Sequence, residues 1–88
     1  MAEYAVTVAR SARKELERLP SEAVVRILMK LEELSENPRP SGVSKLHGQK
    51  GLWRLRVGEY RVVYLIDDAQ RIIDVSVIRH RRDVYRDL

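Results

Sequence analysis

The sequence predicts an α+β fold in which a two-helix hairpin packs on a mostly antiparallel four-stranded sheet, in the order β-α-α-β-β-β, with a short C-terminal helix. Three observations support this fold class. Apolar residues recur at helical spacing across residues 21–36. Two alternating strands flank the two-residue turn Gly58-Glu59, and the β-branched run RIIDVSVIR follows at residues 71–79. With 88 residues, the chain is expected to form one domain, residues 1–88.

The N-terminal half begins with a predicted strand and continues with two predicted helices. Residues 3–9, EYAVTVA, alternate, with Tyr4, Val6 and Val8 on one side. Ser11 is then the expected cap of a helix over residues 11–19, which Pro20 ends.

Ser21 is the expected cap of the second helix, over residues 21–36, which stops before Asn37-Pro38 because a residue preceding proline avoids helical angles. Its predicted apolar stripe consists of Val24, Ile27, Leu28, Leu31 and Leu34. Residues 37–51 have two prolines and no periodicity, so they are predicted to be a loop, either functional or a plain linker.

The hairpin at residues 52–65, LWRLRVGEYRVVYL, carries arginines on one face. Counting back from the turn places Arg56 opposite Arg61, and like charges facing each other destabilise a sheet. An anion that binds there would offset this repulsion. The alternative is a solvated face neutralised by Glu59, Asp74 or Asp83. The predicted arginine-bearing face holds Arg54, Arg56, Arg61, Val63 and Leu65. The predicted core-facing side holds Trp53, Leu55, Val57, Tyr60, Val62 and Tyr64.

The charge distribution also favours a polyanionic partner. Residues 1–44 hold seven Lys/Arg against seven Asp/Glu, whereas residues 45–88 hold ten against six and so carry the whole net charge of +4. The chain has no cysteine and two histidines, so no metal site and no cofactor are expected. No long apolar run or leader pattern is present, so we expect a cytoplasmic protein without membrane contact.

Guanidinium groups suit phosphate because their donors bind two oxygens at once and can stabilise a pentavalent transition state. RNA supplies its own nucleophile, the 2′-hydroxyl, so metal-independent cleavage to a 2′,3′-cyclic phosphate becomes a hypothesis. His80 is the best conventional acid or base in residues 45–88, because its normal pKa lies near neutrality, with a plain surface histidine as the alternative. Lys45 and Lys50 are further candidate bases, or solvated loop lysines. Tyr85 is expected to stack on a base or to donate a proton, and the alternative is that it covers Val63 and Leu65.

These residues resemble the RelE/ParE superfamily of toxins from toxin–antitoxin pairs. The matching blocks are LSENP at residues 34–38, KLHGQKGLWRLRVGEYRVVY at 45–64 and VIRHRRDVY at 77–85. The RelE branch implies an endoribonuclease that cleaves mRNA in the ribosomal A site and arrests translation. The implied partners are the 70S ribosome, mRNA and a RelB-like cognate antitoxin, with operator DNA bound only by the toxin–antitoxin complex.

The resemblance also implies residue roles. Arg61 matches the phosphate-binding arginine, and Tyr85 matches the tyrosine that stacks on the substrate base. Arg54 and Arg56 stand where that branch often has lysines, which favours an electrostatic role. Three residues remain as equivalents of the general acid, with Arg81 preferred: Arg79, His80 and Arg81.

Two further readings of the resemblance stay open. One is a ParE-like toxin that inhibits DNA gyrase by binding protein, without nuclease activity. The other is a degenerate relative that binds only its antitoxin and operator DNA. Val63, Leu65 and Ile78 are expected to be covered either by the C-terminal segment or by an amphipathic antitoxin helix. If the antitoxin displaces that segment, it moves Tyr85 away from the arginines.

Overall fold

A computed structural model describes residues 3–46, 48, 51–80 and 82 of the chain. Its helices and strands are β1 (Ala5–Val8), α1 (Arg10–Glu17), α2 (Ser21–Glu36), β2 (Ser44–Lys45), β3 (Leu52–Val57), β4 (Tyr60–Asp67) and β5 (Ile72–His80). The α+β class and the helical hairpin are confirmed. The C-terminal helix predicted from the sequence lies outside the described residues.

The sheet has five strands in the order β1-β5-β4-β3-β2. The edge strand β1 runs parallel to β5, and the other neighbours are antiparallel, as the mostly antiparallel prediction requires. The predicted number of four strands is wrong because β2 lies inside the expected loop. A strand of only two polar residues shows no alternation, so its pairing with β3 leaves no sequence signal.

Helix α2 has the predicted bounds, but neither predicted serine cap is correct. The residues that precede the helices are Ala9 and Pro20, and neither helix has a side-chain cap hydrogen bond. The Ala9 N–H donates to the Val75 carbonyl oxygen at 2.8 Å, so the β1 pairing continues directly into α1. Pro20, with φ of −58°, sets the entry to α2.

The core lies between the two helices and one side of the sheet, which we call the helix face. Ile27 and Leu34 of α2 are fully buried, as are Val62 and Tyr64 of β4. Leu28 was predicted to join this stripe but is 48% exposed. The correction follows from helix geometry, because Ile27, Leu31 and Leu34 share one side of α2 and Leu28 is rotated by about 100° from Ile27.

A β-bulge changes which side chains of β5 reach the core. Val63 pairs with Val77 and Tyr64 with Val75, so Ser76 is an extra residue on β5. Ile73 and Val75 are buried before the bulge and Ile78 after it, so the alternation shifts by one residue at Ser76. The prediction that Ile78 lies on the side of Val63 and Leu65 is therefore wrong, and Val77 takes that position.

No helix within residues 3–46, 51–80 and the isolated described positions 48 and 82 combines the length and apolar character needed to cross a bilayer.

Candidate functional site

Three arginines from three neighbouring strands form one row across the sheet, which we call the arginine row: Arg56, Arg61 and Arg79. Arg56 pairs with Arg61, as predicted, and Arg61 pairs in turn with Arg79. Neighbouring strands are about 4.8 Å apart, so the backbone positions in the row span about 10 Å. The hairpin register and the bulge together concentrate three guanidinium groups on one patch.

The bulge is the reason that Arg79 belongs to this row. If β5 alternated strictly through Ser76, Arg79 would lie on the same side as the buried residues Ile73 and Val75. Because the bulge takes Ser76 out of the alternation, Ile78 enters the core and Arg79 turns to the opposite side of the sheet. We call this side the arginine face; it carries the arginine row with Arg54, Val63, Leu65 and Val77.

Arg54 adds a fourth guanidinium group beside the row. It pairs with Val63 on one side and with Ser44 of β2 on the other. Val63, only 3% exposed, gives the arginine face an apolar floor. The pairing with Arg54 places Ser44 on this face as well. Ser44 could not be predicted there, because nothing in the residues around it indicates a strand.

Carboxylates do not neutralise the hairpin arginines within residues 3–46, 48, 51–80 and 82. In that part of the chain Arg54, Arg56 and Arg61 form no salt bridge, whereas Arg39 and Arg71 pair with Asp68 and Glu3. The predicted neutraliser Asp74 accepts a hydrogen bond from the Thr7 hydroxyl at 3.0 Å. Asp83 lies outside the described residues, and Glu59 and Arg79 each have an interaction partner.

Arg61 is the most constrained member of the row. Its Nε is buried and has no hydrogen-bond partner in the described part of the chain. A buried donor without an acceptor is costly, more so when it belongs to a charged group. Arg56, which is exposed, donates from Nε to the Gly58 carbonyl oxygen at 3.2 Å. An anion with several acceptor oxygens is therefore a suitable partner for this row.

His80 and Lys45 do not join the arginine row. His80 pairs with Tyr60, and their rings meet edge to face, with centroids 5.5 Å apart and an interplanar angle of 87°, on the helix face. Its Nδ1 accepts a hydrogen bond from the Arg82 N–H at 3.3 Å. Lys45 pairs with Trp53, so its register places it away from Arg54. The other candidates, Lys50, Arg81 and Tyr85, lie outside the described residues.

A polar cluster at the opposite end of β4 holds three chain segments together. Asp68 accepts two hydrogen bonds from Arg39, at 2.8 and 3.2 Å, and one from the Tyr4 hydroxyl at 2.6 Å. These bonds, from Arg39 first and then Tyr4, lower the pKa of Asp68 to about 2. The Arg39 guanidinium also lies 5.3 Å from the centre of the Trp53 ring, so the loop after α2 is fixed against β3.

Tyr64 fixes the same loop from inside the core. Its hydroxyl donates to the Pro38 carbonyl oxygen at 2.8 Å. Burial raises the pKa of Tyr64 to about 12, so this hydroxyl keeps its proton and stays a donor. The sheet that carries the arginine row is thus held at its far end by bonds from several segments.

Comparisons with known proteins agree in family and fold. The family model described as the ParE toxin of type II toxin–antitoxin systems, parDE, matches residues 6–85. Toxin RelE of Mycobacterium tuberculosis is 33% identical over 84 residues, which cover 94% of this chain and 87% of that protein. Toxin RelG of the same organism is 30% identical over 84 residues, with coverages of 94% and 97%.

Solved structures show the same architecture. The archaeal RelE-RelB complex from Pyrococcus horikoshii OT3 is similar with a TM-score of 0.81 and 30% identity, covering 90% of this chain and 96% of that one. The intact E. coli RelBE toxin–antitoxin complex has a TM-score of 0.76 and 29% identity, with coverages of 88% and 95%.

Proposed function

This chain belongs to the RelE/ParE superfamily of type II toxin–antitoxin toxins, and on that premise we propose that it is a ribosome-dependent endoribonuclease that cleaves mRNA in the A site. Residues 1–88 act as a single toxin domain in this proposal, which the family match over residues 6–85 supports. Its place of action is the cytoplasm, where translating ribosomes are found.

The arginine row is the observation that carries this proposal. Three like charges on directly paired positions weaken the sheet, and the buried Nε of Arg61 lacks an acceptor within the described residues. A phosphodiester offers oxygens to several guanidinium groups at once and gains negative charge in the transition state. The row therefore suits a reacting phosphate better than a neutral ligand or a protein surface.

The proposed reaction uses the 2′-hydroxyl of the substrate as nucleophile. Its oxygen forms a bond to the adjacent phosphorus while the bond from phosphorus to the 5′-oxygen breaks, leaving a 2′,3′-cyclic phosphate and a 5′-hydroxyl. Arg61 binds the phosphate oxygens, and Arg54 and Arg56 supply electrostatic stabilisation. No metal takes part.

Proton transfer is proposed to depend on the C-terminal segment and on the last strand. Arg81 is the preferred general acid for the leaving 5′-oxygen, and Tyr85 stacks on the substrate base. Among the residues that the structure describes, Arg79 is the alternative general acid, because it lies in the row beside Arg61. His80 fits this role less well, since its ring packs against Tyr60 on the helix face. Lys45 and Lys50 remain candidate bases, although the register of Lys45 directs it away from the row.

A RelB-like antitoxin is the proposed inhibitor. The solved structures to which the chain is similar include RelE-RelB complexes. On the arginine face, Leu65 is 38% exposed next to Val63 and Val77, which suits the apolar side of an amphipathic helix.

If that helix displaces the C-terminal segment, hydrogen exchange of residues 80–88 increases when the antitoxin binds. Unchanged or increased protection there would contradict displacement. Operator DNA is proposed as a ligand of the toxin–antitoxin complex only.

The second candidate is a ParE-like inhibitor of DNA gyrase. The description of the matching family model favours it, since that model is named for the ParE toxin. Inhibition by protein binding would give no role to the hairpin arginines, Arg54, Arg56 and Arg61, which form no salt bridge within residues 3–46, 48, 51–80 and 82. The relatives named RelE and RelG favour the ribonuclease.

One pair of assays separates these candidates. Purified protein is added to ribosomes programmed with a defined mRNA, and the mRNA ends are mapped by primer extension. We expect cuts within the A-site codon. Absence of cuts, together with inhibition of gyrase supercoiling at a similar protein concentration, would establish the alternative.

A further inference from the structure

A cavity of about 250 Å³ lies on the helix face, behind the hairpin end of the arginine row. Its walls come from the start of α2 and from the ends of β3, β4 and β5. Tyr60 and His80 line it, and each is adjacent in sequence to a member of the row, Arg61 and Arg79. The cavity and the row are thus back to back across the sheet, next to the Gly58-Glu59 turn. Gly58 and Glu59 of the turn also line the cavity, so the turn lies between the cavity and the row.

Flat rings form one part of the cavity wall. The Tyr60 and His80 rings meet at 87° with centroids 5.5 Å apart, so their relative orientation is fixed by mutual packing. His80 accepts a hydrogen bond at Nδ1 from the Arg82 N–H. A planar heteroaromatic ligand suits a wall of this kind, since it contacts ring surfaces and meets a polar ring nitrogen.

Charged side chains form the other part: Glu22, Arg26 and Glu59. Glu59 has an interaction partner. Glu22 and Arg26 lie one helical turn apart on α2, where Cβ atoms are about 5–6 Å apart. The Arg26 guanidinium rests against Gly58, where a Cβ atom would lie 3.5 Å from its Nη1. The lining therefore carries charges of both signs, and it offers carboxylate acceptor oxygens beside a set of guanidinium donors.

We propose that this cavity is a base-binding subsite for a guanine of the RNA strand held by the arginine row, which makes the inference dependent on the proposed function for its biological meaning. Guanine presents the donors N1–H and N2–H₂ next to the acceptors O6 and N7. The Glu22 carboxylate accepts from the first pair, and the Arg26 guanidinium donates to the second. Adenine, cytosine and uracil each present only part of this pattern. Tyr60 and His80 supply the apolar contact with the base.

The test is to titrate the full ¹⁵N-labelled chain with mononucleotides and to monitor binding by NMR. GMP is expected to shift the amide signals of Ala23, Gly58, Tyr60 and His80, and to bind more tightly than AMP, CMP or UMP. Glu22→Gln should weaken GMP binding about tenfold, the usual effect of losing a hydrogen bond to a charged group. Glu32→Gln is the matched control. It removes the same charge from an exposed position of α2 outside the cavity, and it should leave GMP affinity unchanged.

Three results would overturn the proposal: no shifts at these amides with GMP up to about 10 mM, equal binding of the four nucleotides, or equal losses in Glu22→Gln and Glu32→Gln. Since the readout is binding, it is separate from cleavage. A chain that binds GMP here but never cuts mRNA contradicts the proposed function and keeps the subsite. A chain that cuts mRNA without selective GMP binding keeps the function and loses the subsite.

Discussion

Asp68 shows how one residue anchors the scaffold of the arginine face. It lies at the end of the sheet opposite the arginine row and accepts hydrogen bonds from Arg39 and Tyr4. Arg39 belongs to the loop after α2 and Tyr4 to the segment before β1, so a single carboxylate joins three parts of the chain. Those bonds stabilise the ionised carboxylate and so lower the pKa of Asp68.

Replacing Asp68 with Asn should therefore lower stability in a pH-dependent way. The folded-state pKa is about 2 against an ordinary value of 3.8, so the carboxylate contributes its full stabilisation above about pH 4. That contribution is lost as the pH falls from about 4 through 2. Urea unfolding at several pH values should show wild type more stable than Asp68→Asn at pH 7, with the difference shrinking below about pH 4 and lost only below the folded pKa of about 2. A difference that does not depend on pH would contradict this account.

At the scale of single elements, the bulge in β5 determines the composition of the arginine row. The extra residue Ser76 lets Ile78 fill the core and Arg79 join Arg61. The sequence of β5, a run of β-branched residues ending in basic ones, predicts a strand but contains no glycine or proline that marks a bulge. This explains why the strand was predicted correctly and the side of Ile78 was not.

Deleting Ser76 should test the role of the bulge. Val77 would then follow Val75 directly, so regular alternation would keep Ile78 in the core and Arg79 in the row. We expect a folded variant whose free energy of unfolding is within about 1 kcal/mol of the wild-type value. Circular dichroism and thermal melting would measure it. A loss of more than about 3 kcal/mol would show that the bulge does more than place these two side chains.

The row itself should reduce the stability of the sheet. Like charges on directly opposed positions are unfavourable, so Arg56→Gln is expected to raise the free energy of unfolding by about 0.2–1 kcal/mol while slowing cleavage. Arg13→Gln removes the same charge from an exposed position of α1 and should have almost no effect on stability. Urea titration of the three proteins gives the comparison. Destabilisation by Arg56→Gln would mean that the row is stabilised by partners of its own.

An element can be predicted from the sequence when the residues that determine it lie within it or next to it. The bounds of α2 and the Gly58-Glu59 hairpin depend on nearby residues, and both were correct. The start of α1 depends on the bond from Ala9 to Val75, and β2 depends on pairing with β3, so neither was visible in the local pattern. The pairing of Arg56 with Arg61 could be counted from the turn, whereas the place of Arg79 required the bulge.

At the scale of the whole molecule, the sheet serves as a rigid base for charged side chains. The core of β4 and β5 is fully buried beneath the arginine row, and the loop after α2 is fixed by Tyr64 and Asp68. Donors held on such a base reorganise little when charge develops on a bound phosphate. The net charge of +4 adds a general attraction for polyanions and predicts that binding to RNA weakens as salt increases.

The most direct test of the central claim, that the arginine row serves a reacting phosphate, is the single-turnover cleavage rate of Arg61→Gln on programmed ribosomes. The account predicts a loss of about 10²- to 10³-fold, the usual effect of removing one transition-state donor, with a melting temperature no lower than that of wild type. Arg13→Gln, with the same loss of charge on α1, should cleave at the wild-type rate. Equal rates for wild type and Arg61→Gln, or an equal loss in both variants, would contradict the claim.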